Sequence, residues 1–340
     1  MKGLLPIEYS KKLLKNAAPL DLGESKENIE EFQKSRRCTL NKLLGLDEIA
    51  RVTSVKKEIC IEFDKDAEDL GCREIRFTFE SEPEVFVPCH LFIPKTDCTA
   101  PLIMALHGHS TGMHVSAGRI KYAIDEATIK EQECDFARQA VKRGFSVITI
   151  EQRGFGERGG DEKGARCSEI AFRSMMMGRT LPGERVWDTR MALDRVIENF
   201  SDEVDTKRII CLGYSGGGTI GTYLSALDER IGMAVITSAI CTFADSIGAM
   251  PHCACNYIPS IAKHFDMGEI CQLIAPRKLA IISGKDDPIF PVTGAKVCAD
   301  IAGVAYELYG KSENLVHKIT DGAHKFYPKE VWEVIHNYVE

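Results

Sequence analysis

The chain has 340 residues, of which 44% are hydrophobic and 27% charged, a balance typical of soluble globular proteins. Its formal net charge of −7 leaves no basic excess to neutralise phosphates, which argues against nucleic acid as a partner. No apolar run is long enough to span a membrane, and the start MKGLLPIEYSKKLLKNAAPL lacks the apolar core of a signal peptide, so we expect a cytoplasmic protein without a membrane partner.

Two kinds of pattern occupy the first hundred residues. Residues 10–20 and 25–46 are amphipathic, and we expect residues 1–50 to form a helical extension that packs on the main domain, residues 51–340. Alternating, β-branched stretches then follow, in the segments VTSVKKEICIEF, CREIRFTFE and EVFVPCHLFIP. This alternation predicts antiparallel strands joined by turns.

From about residue 100 strands and helices alternate. PLIMALHG and FSVITIEQRG read as buried strands, with EQECDFARQAVKRG as one helix between them. Further strand–helix pairs continue to the final segment KEVWEVIHNYV. The repetition predicts an α/β fold: a mostly parallel central sheet with helices on both faces.

Two irregular excursions, 154–183 and 241–275, interrupt this alternation. We expect them to form cap-like insertions that line a substrate pocket, because binding residues concentrate on loops carried by a rigid scaffold. Phe155, Met175–Met177 and Tyr257 are the candidate walls.

The segment RIICLGYSGGGTIGTYL fits two glycine-rich patterns. Gly213–Gly217 is the G-x-S-x-G turn of a serine nucleophile, and Gly216–Gly221 has the G-x-G-x-x-G spacing of a dinucleotide-binding loop. The dinucleotide pattern also needs an acidic residue about twenty positions on. That position falls in ITSAIC, which has no carboxylate. We therefore predict that Ser215 is a nucleophile and that the protein uses no cofactor.

An acid and a base follow Ser215 in the chain order of serine hydrolases with this turn. Asp287 comes directly after the strand KLAIISG, and His324 lies in the loop after LVHKITDG. Asp286 and His317 are the rival acid and base. We favour Asp287 because it precedes a proline that constrains the turn, and we disfavour His317 because it lies within a strand. The predicted triad is Ser215, Asp287 and His324.

Backbone N–H groups should stabilise the oxyanion of such a reaction. The first donor is predicted to be Gly216, which follows the nucleophile at the start of a helix. The second should come from the loop LHGHSTG, with Gly108 or His109 as the candidates.

The 13 cysteines are scattered, which favours a reducing compartment over a disulfide scaffold. The segment 251–271 contains residues of the types that bind zinc: His252, Cys253, Cys255, His264 and Cys271. Its C-x-C spacing is one residue shorter than the C-x-x-C spacing usual in zinc sites. The histidines of HGHSTGMH could also bind a metal, but that loop is glycine-rich and has no carboxylate in the adjacent sequence. We expect buried thiols and surface histidines here, and no metal.

The motifs LHGHSTG, EQRGFGERGG, LPGERVWDTRMALDRV, GYSGGG, LIAPRKLAIISGKDDPIFPV and DGAHKFY occur in order from about residue 85 to the C-terminus. In the order and spacing of these motifs the chain resembles the dienelactone hydrolase / acetyl xylan esterase-like group of α/β-hydrolases. The resemblance implies an α/β-hydrolase fold with Ser215 as nucleophile, Asp287 as acid and His324 as base. Many members of the group self-associate, so a homo-oligomer is left open.

The chain departs from the group's named enzymes at three positions. Cephalosporin/acetyl xylan esterases have R-G-Q where this chain has Arg153-Gly-Phe, and a glutamate where it has Lys325. Dienelactone hydrolases have a cysteine in place of Ser215. We therefore predict a serine esterase for small acyl or acetyl esters without assigning either named substrate. The alternatives are a lactonase or thioesterase, a prolyl-oligopeptidase-like peptidase, for which no propeller repeats are present, and a non-catalytic binding protein.

Overall fold

The computed structural model describes residues 3–17, 28–50 and 57–339. Their sheet has nine strands in the order β1-β2-β3-β5-β4-β6-β7-β8-β9, so β1 and β9 form its edges. The strands are β1 Ile59–Ala67, β2 Cys72–Glu82, β3 Val85–Pro94, β4 Ala100–Leu106, β5 Ser146–Ile150, β6 Val204–Tyr214, β7 Ile231–Thr237, β8 Lys278–Gly284 and β9 Leu315–Thr320.

The sheet is antiparallel at one side and parallel at the other. β1, β2, β3 and β5 pair antiparallel, whereas every pairing from β5 through β4 to β9 is parallel. The chain order reverses at β4, which lies between β5 and β6. Parallel sheets form a crevice at the carboxyl ends of their strands where the order reverses, so loops after β4 and β6 are brought together.

Helices cover both faces of the sheet, as the alternating pattern predicts. The side chains of α5 and α11 pack on one face, and those of α2, α3 and α7–α10 pack on the other. The helices are α1 Pro6–Lys15, α2 Ile29–Leu44, α3 Leu46–Ala50, α4 Ala123–Gln132, α5 Phe136–Val141, α6 Cys167–Met176, α7 Leu181–Phe200, α8 Gly216–Leu227, α9 Met267–Gln272, α10 Val292–Leu308 and α11 Pro328–Val339. Among the helices described, none combines the length and apolar character needed to cross a bilayer.

The helix predicted over residues 131–144 is wrong as a single element. α4 ends at Gln132, and α5 begins only at Phe136. Glu133 between them has a φ of 52°, the left-handed conformation that terminates a helix. The apolar period continues across the break, which is why the sequence pattern did not reveal it.

The helices that precede the sheet share its core. Leu40 of α2 and Ile49 of α3 are fully buried in the same cluster as α7 and α8. Gln33 Nε2 also donates hydrogen bonds to the carbonyls of Gln272 (2.7 Å) and Ala275 (3.0 Å). Residues 51–56 lie outside the described part of the chain, and a domain boundary at residue 50 stays a prediction.

A buried ion cluster at the start of the excursion 154–183 joins β2 to α7. The Arg153 guanidinium contacts the carboxylates of Glu82 (2.6 Å), Asp188 (2.7 Å) and Glu184 (3.2 Å). These carboxylates belong to β2 and α7. The attraction of three anions raises the pKa of Arg153 although burial lowers it, so the cluster remains ionised.

Candidate active site

Ser215 occupies the sharp turn between β6 and α8. Its φ of 51° and ψ of −122° are sparsely populated for a residue with a side chain. The glycines on either side allow this turn. A Cβ at Gly213 would lie 2.6 Å from the carbonyl oxygen of Gly217, and a Cβ at Gly217 would overlap the carbonyl oxygen of Leu106. Both glycines of the G-x-S-x-G pattern are therefore required by close backbone packing.

The structure brings Ser215, His324 and Asp287 into one hydrogen-bonded chain. His324 Nε2 lies 2.9 Å from Ser215 Oγ, and His324 Nδ1 lies 2.9 Å from Asp287 Oδ2. Asp287 is only 4% exposed, and its Oδ1 accepts the N–H groups of Ile289 (2.8 Å) and Phe290 (3.0 Å). Those two bonds fix the carboxylate so that Oδ2 faces the imidazole.

The two rival residues lie apart from this chain of contacts. Asp286 is exposed, although it is adjacent to the buried Asp287. His317 is on β9, where its Nε2 lies 3.1 Å from Ser283 Oγ. The geometry therefore favours Asp287 over Asp286 and His324 over His317, as the sequence predicts.

Two aromatic rings hold the His324 imidazole. The Phe290 ring stacks on it at 5.8 Å with an interplanar angle of 22°, and the Tyr214 ring lies at 5.6 Å with an angle of 31°. The Tyr214 hydroxyl donates to Gln132 Oε1 at 3.0 Å. Burial raises the pKa of Tyr214, so this phenol stays neutral and adds no charge beside the imidazole.

The predicted oxyanion residues meet beside Ser215. Gly216 is the first residue of α8, so its N–H has no acceptor within the helix. A Cβ on Gly108 would lie 3.1 Å from Ser215 Cβ, which shows how closely the loop after β4 approaches. Within the described residues, neither the backbone N–H of Gly108 nor that of His109 has a hydrogen-bond partner, so both stay candidates for the second donor. The His109 ring also covers Gly216, where an added Cβ would lie 2.7 Å from Nδ1.

A buried acid braces this loop from behind. Glu151 Oε1 accepts the N–H of Met113 at 3.0 Å and lies 3.6 Å from His107 Nε2. Burial raises the pKa of Glu151 to about 7 and lowers that of His107 to about 3. Above pH 3 the His107 imidazole is therefore neutral, and its position depends on packing rather than on an ion pair.

A pocket of about 350 Å³ opens over Ser215 and His324. This volume suits a small ligand. The excursion 241–275 forms one wall, with Met250, Pro251 and His252 among its residues, as predicted. The full lining is His109, Gln132, Tyr214, Ser215, Gly216, Met250, Pro251, His252, Cys253, Asn256, Ile289, Phe290 and His324.

The predicted walls Phe155 and Tyr257 are wrong for this pocket. Phe155 is 1% exposed and lies behind the loop after β4, with its ring 5.4 Å from that of His109. Tyr257 lines a different cavity beside α1. The segment Met175–Met177 also lies off the pocket, and its last two side chains are exposed. Irregular segments have no period that fixes which side chains face inward, so the sequence could not assign these walls.

Three cysteines and a histidine meet on the other side of the loop. The ligand atoms of His109, Cys167, Cys253 and Cys255 all lie within 4.8 Å of one another. Cys167 was not singled out from the sequence, because it is distant in the chain from the other three. The remaining candidates of the cysteine-rich segment lie outside this group: His252, His264 and Cys271.

Comparisons with known proteins agree with this architecture. Residues 101–254 match the family model described as the alpha/beta hydrolase fold. YtaP of Bacillus subtilis, whose name describes it as a hydrolase, is 30% identical over 214 residues, which span 61% of this chain and 67% of YtaP.

Solved structures resemble the chain at lower identity. A Bacteroides fragilis protein described as an acetyl xylan esterase superposes with a TM-score of 0.77 at 18% identity, over 97% of this chain and 84% of that one. The methylesterase BT1017 has a TM-score of 0.72 at 19% identity, over 98% and 67%. A glucuronoyl esterase from Solibacter usitatus has a TM-score of 0.61 at 15% identity, over 83% and 84%. The chain therefore belongs to the α/β-hydrolase family.

Proposed function

We propose that this protein is a serine esterase that cleaves small carboxylic esters, acetyl esters among them, through an acyl-enzyme on Ser215. One observation carries the proposal: a hydrogen-bonded chain from buried Asp287 through His324 to Ser215, with 2.9 Å at both links, facing a pocket. This is the geometry in which an imidazole can take the proton of an attacking hydroxyl.

In the first half of the reaction Ser215 Oγ attacks the ester carbonyl carbon, and His324 Nε2 accepts the hydroxyl proton. Asp287 holds the imidazole through Nδ1 and stabilises its positive charge. The carbonyl oxygen becomes an oxyanion that accepts hydrogen bonds from the N–H of Gly216 and from the N–H of Gly108 or His109 in the loop after β4. As the bond to the alcohol breaks, His324 returns the proton to the departing alkoxide, which leaves as the alcohol.

In the second half water replaces the alcohol. His324 takes a proton from the water molecule while the water oxygen attacks the acyl carbon. The same backbone N–H groups stabilise the second oxyanion. The bond to Ser215 Oγ then breaks, the serine recovers its proton from His324, and the carboxylic acid leaves. The enzyme returns to its initial state without a cofactor.

The pocket favours small acyl groups over long or charged ones. Its described lining contains no carboxylate, lysine or arginine, and its apolar surface comes from Met250, Ile289 and Phe290 among others. The names of the structural relatives support ester substrates: an acetyl xylan esterase, a methylesterase and a glucuronoyl esterase. A peptidase of the prolyl-oligopeptidase type is the alternative within the same chemistry.

The test is hydrolysis of p-nitrophenyl acetate, butyrate and octanoate by the wild type and by Ser215→Ala. The matched control is Ser283→Ala, which removes another buried hydroxyl, whose hydrogen-bond partner among the described residues is His317. We expect turnover that falls with acyl length, is lost in Ser215→Ala and is retained in Ser283→Ala. A fluorophosphonate probe should label the peptide that contains Ser215. Turnover that survives in Ser215→Ala, or a folded wild type that cleaves peptides but no ester, would overturn the proposal.

We also propose a cytoplasmic location. All 13 cysteines are free thiols, which suits a reducing compartment. Cell fractionation with antibodies against the protein tests the location, and recovery from an oxidising compartment would contradict it. The oligomeric state is a separate question that light scattering on the purified protein answers.

A further inference from the structure

A second cluster of reactive side chains lies behind the loop after β4. His109 belongs to that loop, Cys167 is the first residue of α6, and Cys253 and Cys255 come from the excursion 241–275. The Sγ atoms of Cys253 and Cys255 are 3.2 Å apart, and His109 Nε2 lies 3.2 Å from Cys255 Sγ. Cys253 also lines the pocket, but among the described residues no triad side chain forms a hydrogen bond with any of the three thiols, so the proposed esterase reaction leaves them unexplained.

The set has the composition and size of a tetrahedral zinc site. Three cysteines and one histidine form one of the standard structural zinc sets, and Zn–S bonds of about 2.3 Å separate two sulfurs by about 3.8 Å. All four ligand atoms lie within 4.8 Å of one another. Sulfur ligands exclude magnesium and calcium, which prefer oxygen.

A buried arginine supplies independent evidence of negative charge here. Arg185 is 1% exposed, and its Nη2 lies 3.1 Å from Cys167 Sγ. Among the described residues no carboxylate forms an ion pair with it, although a buried guanidinium without an anion is strongly destabilising. Three thiolates around Zn²⁺ carry a net charge of −1, which one guanidinium neutralises. The other partners of Arg185 are the Arg153 carbonyl oxygen (2.6 and 3.1 Å) and the Phe155 ring, and neither carries a negative charge. Neutral thiols would therefore leave the guanidinium without an anion among the described residues.

The surroundings of the cluster suit a cation held by thiolates, the form of cysteine that binds metal. Among the described residues, Arg185 is the charged side chain that contacts the thiols, and no carboxylate forms a hydrogen bond with any of the three.

We infer that His109, Cys167, Cys253 and Cys255 bind one structural Zn²⁺ ion. The inference stands apart from the proposed function, because it requires no catalysis by Ser215. Four protein ligands leave no open position, so the ion is a cross-link rather than a Lewis acid. It joins the loop after β4 to both excursions, which otherwise approach one another only through side-chain packing.

The ion also makes His109 a positioning residue for the pocket. With Nε2 bound to zinc, the neutral imidazole carries its proton on Nδ1. Nδ1 faces Gly216, and in the described residues it has no hydrogen-bond partner. The zinc therefore fixes both the backbone N–H of His109 and an imidazole N–H at the edge of the pocket.

The first experiment measures metal in the wild type, purified without a polyhistidine tag and without added metal. We expect about one zinc per chain by plasma mass spectrometry, and an X-ray absorption spectrum with three sulfurs at about 2.3 Å and one nitrogen at about 2.0–2.1 Å. Protein without metal whose 13 thiols all react with Ellman's reagent after denaturation would overturn the inference. So would metal-free protein in which Cys253 and Cys255 form a disulfide.

The second experiment assigns the ligands. Cys167→Ser combined with Cys253→Ser should lose the zinc, whereas Cys271→Ala, which removes a buried thiol outside the cluster, should retain it. Stoichiometric zinc in the double variant would overturn the assignment. If the double variant does not fold, the sulfur and nitrogen count in the wild-type spectrum decides. Zinc content alone decides the assignment, because loss of the ion would also disturb the His109 loop beside Ser215 and so change esterase activity.

Discussion

Asp287→Asn tests the proposed mechanism with the smallest change of shape. The remaining carbonyl oxygen can still accept the N–H groups of Ile289 and Phe290, which lie 2.8 and 3.0 Å from Oδ1. The new NH₂ group then replaces Oδ2, which now lies 2.9 Å from His324 Nδ1. Because two donors cannot share one bond, the imidazole must carry its proton on Nε2. Nε2 can then no longer accept the proton of Ser215.

The loss should be large in rate and modest in stability. A wrong imidazole tautomer in a serine triad lowers kcat by about 10⁴-fold, which corresponds to about 5.4 kcal/mol of transition-state stabilisation. The variant should also lower the free energy of unfolding, because the charge-assisted hydrogen bond between Asp287 and His324 is replaced by a weaker contact, and residue 287 is only 4% exposed. We expect about 1–3 kcal/mol from that source.

The assay compares kcat and KM for p-nitrophenyl acetate in Asp287→Asn and Asp286→Asn, with unfolding followed by circular dichroism. Asp286 is the matched control because it is the adjacent carboxylate, is exposed and has no contact with His324. We expect kcat to fall only in Asp287→Asn, with KM nearly unchanged. Activity of Asp287→Asn within tenfold of the wild type, or an equal loss in Asp286→Asn, would refute this account of the triad.

Four further changes probe the scaffold and the pocket. Arg153→Met removes one cation from three buried carboxylates that keep their contacts with Arg158 and Arg179, and it should cost about 1–3 kcal/mol in the free energy of unfolding by urea. Burial raises the pKa of Glu74, but hydrogen bonds from His90 and Arg119 outweigh burial and lower that pKa to about 2. The stability that this carboxylate contributes is therefore present above pH 4.5 and is lost as the pH falls to 2. Glu74→Gln should be less stable than the wild type by up to about 3 kcal/mol at pH 7 and nearly equal to it at pH 2. Phe290→Ala should enlarge the pocket and shift the preferred acyl chain from acetate towards butyrate in the p-nitrophenyl series, and an unchanged preference would remove Phe290 from the acyl wall. Gly217→Ala drives a methyl group into the Leu106 carbonyl, and soluble, active protein from this variant would contradict the packing described for the turn.

Sequence patterns predicted the regular elements well where local chemistry and burial agree. KLAIISG is an apolar run between Pro276-Arg277 and Lys285-Asp286-Asp287, and β8 has those same limits, Lys278–Gly284. The single helix predicted over residues 131–144 is wrong because the left-handed conformation of Glu133 depends on the surrounding structure and not on helical propensity. The mostly parallel sheet was predicted from the strand–helix alternation and the family from the order of the motifs, and both are confirmed.

The candidate site was predictable only where chain order carries the information. Ser215, Asp287 and His324 each follow a strand of the parallel sheet, so the carboxyl ends of the strands bring them together; their catalytic roles stay predictions. Phe155 and Tyr257 lie in irregular segments, whose side-chain directions are set by tertiary packing.

The cysteine cluster could not be predicted because its members come from three distant segments. The C-x-C pair was visible, but its partners His109 and Cys167 precede it by more than eighty residues. His109 belongs to the histidine-containing loop HGHSTGMH, but nothing in that loop points to cysteines elsewhere in the chain, and Cys167 has no second ligand type beside it. Only the folded loops bring the four side chains together.

The position of β1 at one edge of the sheet has a consequence for aggregation. Its outer backbone groups have no strand partner in the described chain, and such an edge can add a strand from another molecule. Exposed Glu62, Asp64, Lys65 and Asp66 crowd the same strand. Pairing a second strand with β1 would remove water from these charged side chains, which is unfavourable. Any self-association of this protein should therefore use another surface. Replacing Glu62, Asp64 and Asp66 with valine should allow β1 strands of different molecules to pair and form fibrils.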